Sequence, residues 1–127
     1  MNMTEKNHKK ILIAEDENAI AKALQLKLEH LGFNVELASN GEEALEALKK
    51  TKFDLMLLDI MMPKVDGFGV LAGLKNLNYK PIVLISSNLS QSSDRDKAIS
   101  LGADDFLVKS DVSLKEIVDK INEALSL

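Results

Sequence analysis

Acidic and other polar residues stand directly after four short apolar segments of this chain. Glu15 and Asp16 follow KILIA, Asp59 follows LMLL, Ser86 follows PIVLI and Lys109 follows DFLV. A continuous apolar run is typical of a strand buried on both faces of a parallel sheet, and a carboxylate at its end is costly to bury without a partner. Asp59 therefore requires neighbours that balance its charge.

The carboxyl ends of parallel strands meet at one edge of a sheet, so these residues are expected to converge there. Three carboxylates at one edge repel each other by roughly 4 kcal/mol per close pair at an effective dielectric of about 20. A hard divalent cation removes that repulsion, and oxygen ligands without His or Cys suit Mg²⁺ better than zinc. Such a cation, a lysine and a hydroxyl around one carboxylate would hold a phosphoryl group, and an Asp can itself be the nucleophile.

Each of these residues also has a simpler interpretation. Glu15 and Asp16 could be ordinary acids in the first turn of a helix, where negative charge is favourable. Ser86 alone could be a turn residue, and Lys109 alone a solvated surface charge. The convergence of all of them at one edge favours the site.

Five β-rich segments alternate with five segments of helical periodicity. The predicted strands are residues 10–14, 33–38, 54–60, 81–85 and 105–108. Gly32 and Gly102 stand where the first and fourth helices are expected to end, the fourth near Leu101. The alternation predicts an α/β fold in which a parallel sheet is covered by helices on both faces, with right-handed crossovers.

Capping signals mark three helix starts. Ser39 with Glu42, and Ser113 with Glu116, have capping-box spacing before the second and fifth helices. Asp66 is the expected N-cap of the third helix, which should continue to about residue 76. Two glycines inside that helix each cost roughly 0.5–1 kcal/mol relative to Ala, so it should be weakly formed.

Size and composition indicate one globular domain. The 127 residues are interpreted as a single domain over residues 1–127, with a polar leader at 1–9 and a folded core at 10–126. A net charge of −4 and the absence of clustered Lys and Arg argue against direct nucleic-acid binding. There is no cysteine, no secretory signal and no apolar run near the ~18 residues of a membrane span, so we expect a cytoplasmic protein that does not bind membranes.

The site residues also form a family pattern. Glu15-Asp16, Asp59-x-x-x-Pro63-x-x-Asp66-Gly67, Ser86, GADDF and Lys109 together resemble the receiver domain of bacterial two-component response regulators. The resemblance covers essentially residues 10–125. It implies a single (βα)5 flavodoxin-like domain with strand order 2-1-3-4-5.

The resemblance also implies a phosphoacceptor and a metal site. Asp59 would accept a phosphoryl group from a histidine kinase, a phosphotransfer protein or a small phosphodonor such as acetyl phosphate. The metal ligands would be Glu15, Asp16, Asp59 and the backbone carbonyl of Met61. The cofactor would be Mg²⁺, for which Mn²⁺ is an acceptable substitute.

The remaining implied roles concern a two-state switch. Lys109 would pair with Asp59 and then with a phosphoryl oxygen, while Ser86 would hydrogen-bond the phosphoryl group and pull its loop inward. Phe106 matches the switch aromatic of the family and would move inward with it. The change would be read on the face made by the fourth helix, fifth strand and fifth helix.

Four further charges could lie on that face. Arg95, Asp105, Glu116 and Lys120 are either a solvated charged surface or a homodimer interface, because GADD with these charges resembles the dimerisation face of receivers attached to winged-helix DNA-binding domains. The first interpretation gives them little energetic weight, and the second would make dimerisation depend on phosphorylation.

The chain departs from the family pattern after its lysine. Ser110 stands where the family usually has a proline in a cis peptide. Because a non-proline cis bond costs about 2.5–4 kcal/mol, we predict that the Lys109–Ser110 peptide is trans and that the loop is rebuilt.

The leading interpretation is a phosphorylation-controlled module, which is not an enzyme and catalyses nothing except its own phosphorylation and slow dephosphorylation. Three other functions compete with it. A degenerate receiver would bind partners without phosphorylation. An aspartyl-phosphate phosphohydrolase would want a second acid at position 61, where Met61 stands, and a flavodoxin-like cofactor binder would need stacking aromatics, which are scarce. The sequence ends directly after the predicted fifth helix, so we expect it to include no output domain. Two interpretations are left open: a stand-alone receiver, or one part of a longer regulator.

Overall fold

A five-stranded parallel sheet lies at the centre of the computed structural model, which describes residues 9–126. Its strands are β1 (Lys10–Ala14), β2 (Asn34–Ala38), β3 (Leu55–Leu58), β4 (Ile82–Ser87) and β5 (Asp105–Val108). Their order is β2-β1-β3-β4-β5, and every neighbouring pair is parallel. The predicted fold and strand order are confirmed. The predicted leader at residues 1–9 lies outside the described residues, apart from Lys9.

Helices connect the strands on both faces of the sheet. They are α1 (Asn18–His30), α2 (Gly41–Lys50), α3 (Gly67–Gly73), α4 (Ser92–Ser100) and α5 (Leu114–Ala124). A 3₁₀ turn over Leu74–Asn76 extends α3, and another over Lys109–Asp111 follows β5. Within residues 9–126, no helix is both long and apolar enough to cross a membrane.

The strands feed two separate layers of apolar core because successive side chains point to opposite faces. Leu12 and Met56 belong to the layer covered by α2, α3 and α4. Ile11 and Leu55 belong to the layer covered by α1 and α5. All four of these side chains are fully buried. Strands β1 and β3 are therefore packed between two apolar layers, and this packing fixes the position of the residues that follow them.

The fourth helix contributes little to these layers. Its sequence, SSDRDKAIS, is almost entirely polar, and only Ala98 is buried within it. The Lys97 ammonium lies 4.2 Å from the ring centroid of Phe68 on α3. Polar and cation–π contacts thus provide much of the attachment of α4.

Two of the three predicted helix starts are confirmed. The Asp66 side chain accepts a hydrogen bond from the Gly69 N–H at 2.9 Å, and Ser113 forms the predicted capping box with Glu116. As expected for a helix with two internal glycines, α3 is short: it is α-helical only to Gly73 and then tightens into the 3₁₀ turn.

The capping box predicted at Ser39 and Glu42 is wrong by one residue. Asn40 is the N-cap of α2, and its side chain accepts a hydrogen bond from the Glu43 N–H at 2.8 Å. The Ser39 N–H and Oγ both donate to the Glu43 carboxylate, at 2.8 and 2.9 Å. Asn is as good an N-cap as Ser, so spacing alone did not separate the two registers.

Three strand boundaries also differ from the prediction. The strands observed as Asn34–Ala38, Leu55–Leu58 and Ile82–Ser87 were expected at 33–38, 54–60 and 81–85. Pro81 cannot donate a hydrogen bond to a neighbouring strand, which explains the later start of β4. The same strand continues through Ser87 because Ser86 and Ser87 pair with Leu107 and Val108 of β5.

The single tyrosine joins α2 to the segment before β3. The Tyr79 hydroxyl lies 2.7 Å from the Thr51 carbonyl oxygen and 2.9 Å from that of Leu48, and it accepts a hydrogen bond from the Phe53 N–H at 3.4 Å. This hydroxyl therefore serves unpaired backbone groups at the end of α2.

We expect Tyr79→Phe to lower the free energy of unfolding by about 1–2 kcal/mol, because the variant leaves a partly buried N–H and carbonyls without a partner. Urea unfolding followed by circular dichroism measures the change. Ser100→Ala is the matched control, since it removes an exposed hydroxyl that donates to the Lys97 carbonyl at 2.8 Å. Equal losses in both variants would contradict this role of Tyr79.

Candidate functional site

The carboxyl ends of β1 and β3 bring two acids together. Glu15 and Asp59 are the first residues after these strands, and each is only 4% exposed. Their N–H groups continue the sheet: the Glu15 N–H donates to Ala38 at 3.0 Å and the Asp59 N–H to Ala14 at 2.9 Å. The backbone of both acids is therefore held by the adjacent strands.

Asp16 completes an acidic group at this edge and is exposed. One carboxylate oxygen from each of Glu15, Asp16 and Asp59 lies within 4.8 Å of the others. The three acids that the sequence placed at one sheet edge are thus adjacent in space. All the donor atoms are oxygens, which is the ligand type that Mg²⁺ prefers, so the residues present fit such an ion.

Lys109 reaches these acids from the end of β5. Its Nζ donates to Asp59 Oδ2 at 3.1 Å and forms an ion pair with Glu15 Oε1. Its side chain is 11% exposed. Burial alone would lower the pKa of Lys109, but the hydrogen bonds to Glu15 and Asp59 outweigh it, so this pKa lies above its ordinary value of 10.5.

A third carboxylate lies close to the same ammonium. Glu17 Oε1 is 3.7 Å from Lys109 Nζ, and the Glu17 side chain is largely exposed. Glu17 was not among the predicted site residues, although it is the third acid of the run Glu15-Asp16-Glu17. This run of three acids after the first strand was the sequence feature that could have indicated its proximity to the site.

Negative charge exceeds positive charge in this group. Burial raises the pKa of Glu15 above its ordinary value of 4.5, although its hydrogen bonds with Lys109 and the Glu17 N–H work in the opposite direction. Repulsion from Asp59 adds to the increase. One ammonium therefore does not balance the cluster, and a divalent cation would.

The loop after Asp59 turns back on itself. The Met61 N–H donates to Asp59 Oδ1 at 3.2 Å, and the Gly67 N–H donates to the Ile60 carbonyl at 2.8 Å. A Cβ at Gly67 would lie 2.6 Å from the Asp59 carbonyl oxygen, so only glycine allows α3 to begin this close to Asp59. Lys64 occupies the left-handed region with φ 69°.

Ser86 lies near the end of β4, between the strands that carry Asp59 and Lys109, and it is 5% exposed. Ser86 lines the same narrow cleft as Glu15 and Asp59. Phe106 in β5 is buried, with 6% exposure. Its ring is thus already buried in this structure.

The peptide between Lys109 and Ser110 is trans, since residues 9–126 contain no cis peptide bond. This prediction is confirmed. The loop is rebuilt as a 3₁₀ turn over Lys109–Asp111, which carries the chain from β5 towards α5.

Three of the four predicted surface charges lie together. Arg95 Nη2 is 3.8 Å from Asp105 Oδ1, and Lys120 Nζ is 4.0 Å from Asp105 Oδ2. Glu116 does not join this group, because its carboxylate accepts a hydrogen bond from the Ser113 N–H in the capping box. The face of α4, β5 and α5 thus carries one ion-pair cluster centred on Asp105.

Comparison with known proteins identifies the same pattern over most of the chain. The family model described as "Response regulator receiver domain" matches residues 11–122. A probable transcriptional regulator ycf27 of Porphyridium aerugineum is 41% identical over 116 residues, which make up 91% of this chain and 48% of that protein. The chain thus spans about half the length of the curated relatives it matches.

Solved structures share the architecture as well. The receiver domain of the Francisella response regulator 1452 is 31% identical, with a TM-score of 0.85 over 92% of this chain and 96% of that one. A chain of the CheX–CheY–BeF3–Mg²⁺ complex from Borrelia burgdorferi is 26% identical, with a TM-score of 0.87 over 98% of this chain and 95% of that one.

We expect Lys109→Met to destabilise the metal-free protein. Breaking a buried ion pair from one side costs about 3–5 kcal/mol, and the open rim near Asp16 reduces this, so we expect a loss of about 2–3 kcal/mol. Urea unfolding at pH 7 in the presence of a chelator measures it. Lys115→Met, which removes an exposed lysine paired with Asp119, is the control and should change little.

This loss should depend on pH in one direction. Because the pKa of Lys109 is raised in the folded state, its contribution is complete below pH 10.5 and disappears as the pH rises through the folded value. The difference in unfolding free energy between wild type and Lys109→Met should therefore shrink above pH 10.5. A difference that stays constant to higher pH would show that the charge of Lys109 is not what stabilises the fold.

Proposed function

The chain belongs to the family of response regulator receiver domains of two-component systems, and from this membership we propose that Asp59 accepts a phosphoryl group in a Mg²⁺-dependent reaction. The donor is a histidine kinase, a phosphotransfer protein or a small phosphodonor, and the reaction takes place in the cytoplasm. The observation that carries the proposal is the convergence of Lys109 and two further carboxylates, those of Glu15 and Asp16, on the strand-end aspartate Asp59.

Asp59 has the environment of a nucleophile rather than of a structural acid. It is buried, its Oδ2 accepts a hydrogen bond from Lys109 and its Oδ1 accepts one from the Met61 N–H. These contacts keep the carboxylate oriented. In the transfer, one oxygen of Asp59 forms the bond to phosphorus while the bond from phosphorus to the donor breaks, and the donor leaves with its electron pair.

Glu15, Asp16 and Asp59, with the backbone carbonyl of Met61, would hold Mg²⁺. The bound ion would neutralise charge on the phosphoryl oxygens. The acidic cluster supports this assignment, and the related Borrelia burgdorferi complex contains both Mg²⁺ and BeF3. After the transfer, the Lys109 ammonium donates its hydrogen bond to a phosphoryl oxygen instead of Asp59, because the negative charge now lies on the phosphoryl group.

Ser86 and Phe106 convert this local change into a signal. The Ser86 hydroxyl donates a hydrogen bond to the phosphoryl group and draws the segment after β4 towards the site. That segment leads into α4, whose attachment is largely polar, and the buried ring of Phe106 lies on β5, the strand next to β4. The rearranged face of α4, β5 and α5 is what a downstream partner recognises.

Acetyl phosphate with Mg²⁺ tests the proposal directly. Wild type should gain the mass of one phosphoryl group by intact mass spectrometry, and the adduct should be labile to base as an acyl phosphate is. Asp59→Asn is nearly isosteric and should gain none. The absence of an adduct, with acetyl phosphate and with a panel of histidine kinases, would favour a degenerate receiver that acts without phosphorylation.

The Asp105 cluster supports a further proposal, that phosphorylation promotes a homodimer through the face of α4, β5 and α5. Arg95 and Lys120 both lie at 3.8–4.0 Å from Asp105, and their side chains are about half exposed. These loose ion pairs can be exchanged for pairs across a two-fold axis at little cost.

Light scattering after size exclusion should show a dimer when beryllofluoride and Mg²⁺ are added, and a monomer without them. Asp105→Ala should shift this equilibrium at least tenfold towards monomer while leaving phosphorylation of Asp59 intact. Lys115→Ala, which lies on α5 outside the cluster, is the control. A monomeric mass in wild type after activation would contradict dimerisation through this face.

A further inference from the structure

Two glycines at the starts of different helices enclose one side chain of the phosphoacceptor loop. This loop, residues 59–67, joins β3 to α3. Val65 lies between Gly41, the first residue of α2, and Gly69, in the first turn of α3. A Cβ at Gly41 would lie 1.9 Å from the Val65 carbonyl oxygen, and a Cβ at Gly69 would lie 2.6 Å from Val65 Cγ1.

The contact at Gly41 is a close approach of two backbones. The three atoms nearest to a Cβ at this position all belong to Val65, and two of them are its carbonyl carbon and oxygen. Backbone atoms cannot rotate away as the end of a flexible side chain can. A methyl group at position 41 therefore has to displace the loop or the helix.

The α2 side of this contact is firmly held. Asn40 is buried and caps the helix through the Glu43 N–H, while Ser39 donates twice to the Glu43 carboxylate. Ala44 and Leu48 of the same helix are fully buried in the core. The loop is thus the part that would give way.

A displacement of Val65 would reach the site through a short connection. The Val65 N–H donates to the Pro63 carbonyl at 2.9 Å, and the Met62 N–H donates to the Ile60 carbonyl at 3.1 Å. The Ile60 carbonyl also accepts the hydrogen bond from the Gly67 N–H. These hydrogen bonds brace the loop internally, so a displacement of Val65 is expected to reach the backbone next to Asp59.

We propose that the contacts of Val65 with Gly41 and Gly69 set the position of the phosphoacceptor loop, so that these three residues are positioning residues for the reaction at Asp59. They act through the backbone of residues 60–62, far in sequence from Gly41. The proposal rests on the function proposed above, because it concerns the rate of that same transfer. It makes the start of α2 a part of the site that contributes no chemical group.

Val65→Ala tests the proposal with a change that the fold tolerates. It removes both methyl groups, including Cγ1, which lies against Gly69, and it leaves the backbone contact with Gly41 and every charged group in place. With acetyl phosphate as donor, we expect the maximal phosphorylation rate constant to fall about tenfold, with a half-saturating donor concentration that changes less than twofold, because misplacement affects the transition state more than binding.

Two readouts separate positioning from a loss of stability. The Mg²⁺ dissociation constant of the unphosphorylated protein, measured by calorimetry, should rise severalfold. The backbone amide signals of residues 59–61, which are not sequence neighbours of the substitution, should shift in the metal-free nuclear magnetic resonance spectrum. Val35→Ala is the matched control, since Val35 is a partly buried valine of β2 that packs on the other core layer. It should leave the rate, the dissociation constant and those amide signals unchanged.

Gly41→Ala should give the same effects, larger in size, and Gly73→Ala is its control because a Cβ at Gly73 meets only the flexible end of Leu45 at 2.7 Å. If Gly41→Ala does not fold, Val65→Ala and its control Val35→Ala decide the question. Wild-type rate and Mg²⁺ affinity in a folded Gly41→Ala, or in Val65→Ala, would overturn the proposal. If wild-type protein is not phosphorylated at all, the function proposed above fails instead, and the two failures are therefore distinguishable.

Discussion

Lys109 brings its ammonium from the end of β5 to the carboxylates of Asp59 and Glu15, and the strand order makes this contact available. β4 lies between β3 and β5, so the lysine reaches over the strand end that carries Ser86. Four groups from four strands thus meet at one edge. The negative charge at this edge exceeds the positive charge, and burial limits the screening of this excess by water. The cluster therefore favours the binding of one more cation.

The packing of the apolar layers beneath the site offsets the electrostatic repulsion between these charges. β1 and β3 have almost no exposed side chain, and their last residues lead straight into Glu15 and Asp59. A strand fixed on both faces cannot yield to repulsion at its end by twisting away. The site can therefore hold acids within hydrogen-bonding distance of one lysine, where a looser scaffold would let them separate.

Much of this arrangement was predictable from the sequence, for a physical reason. Buried parallel strands are continuous apolar runs, so the first polar residue after each run marks the strand end, and the topology then places Asp59, Glu15 and Lys109 together. The extent of β4 was not predictable in this way, because Ser86 and Ser87 are polar yet pair with β5. Asn40 replaced Ser39 as a cap because two good capping residues are adjacent.

Contacts between distant backbones left no local pattern at all. Nothing near Gly41 in the sequence indicates that the carbonyl of Val65 lies against it, since a glycine required by close approach has the same surroundings as one required by a turn. Glu17 is similar, because its proximity to Lys109 depends on where β5 ends. Long-range geometry of this kind becomes visible only once the elements have been placed.

The sparse packing of α4 has an energetic consequence. A helix that buries only Ala98 and is otherwise attached through Lys97 and Arg95 has few apolar contacts to lose when it separates from the sheet. Local opening of α4 should therefore cost less free energy than opening of α2 or α5, which bury more apolar side chains. The polarity of SSDRDKAIS thus makes α4 a weakly held part of an otherwise well packed domain.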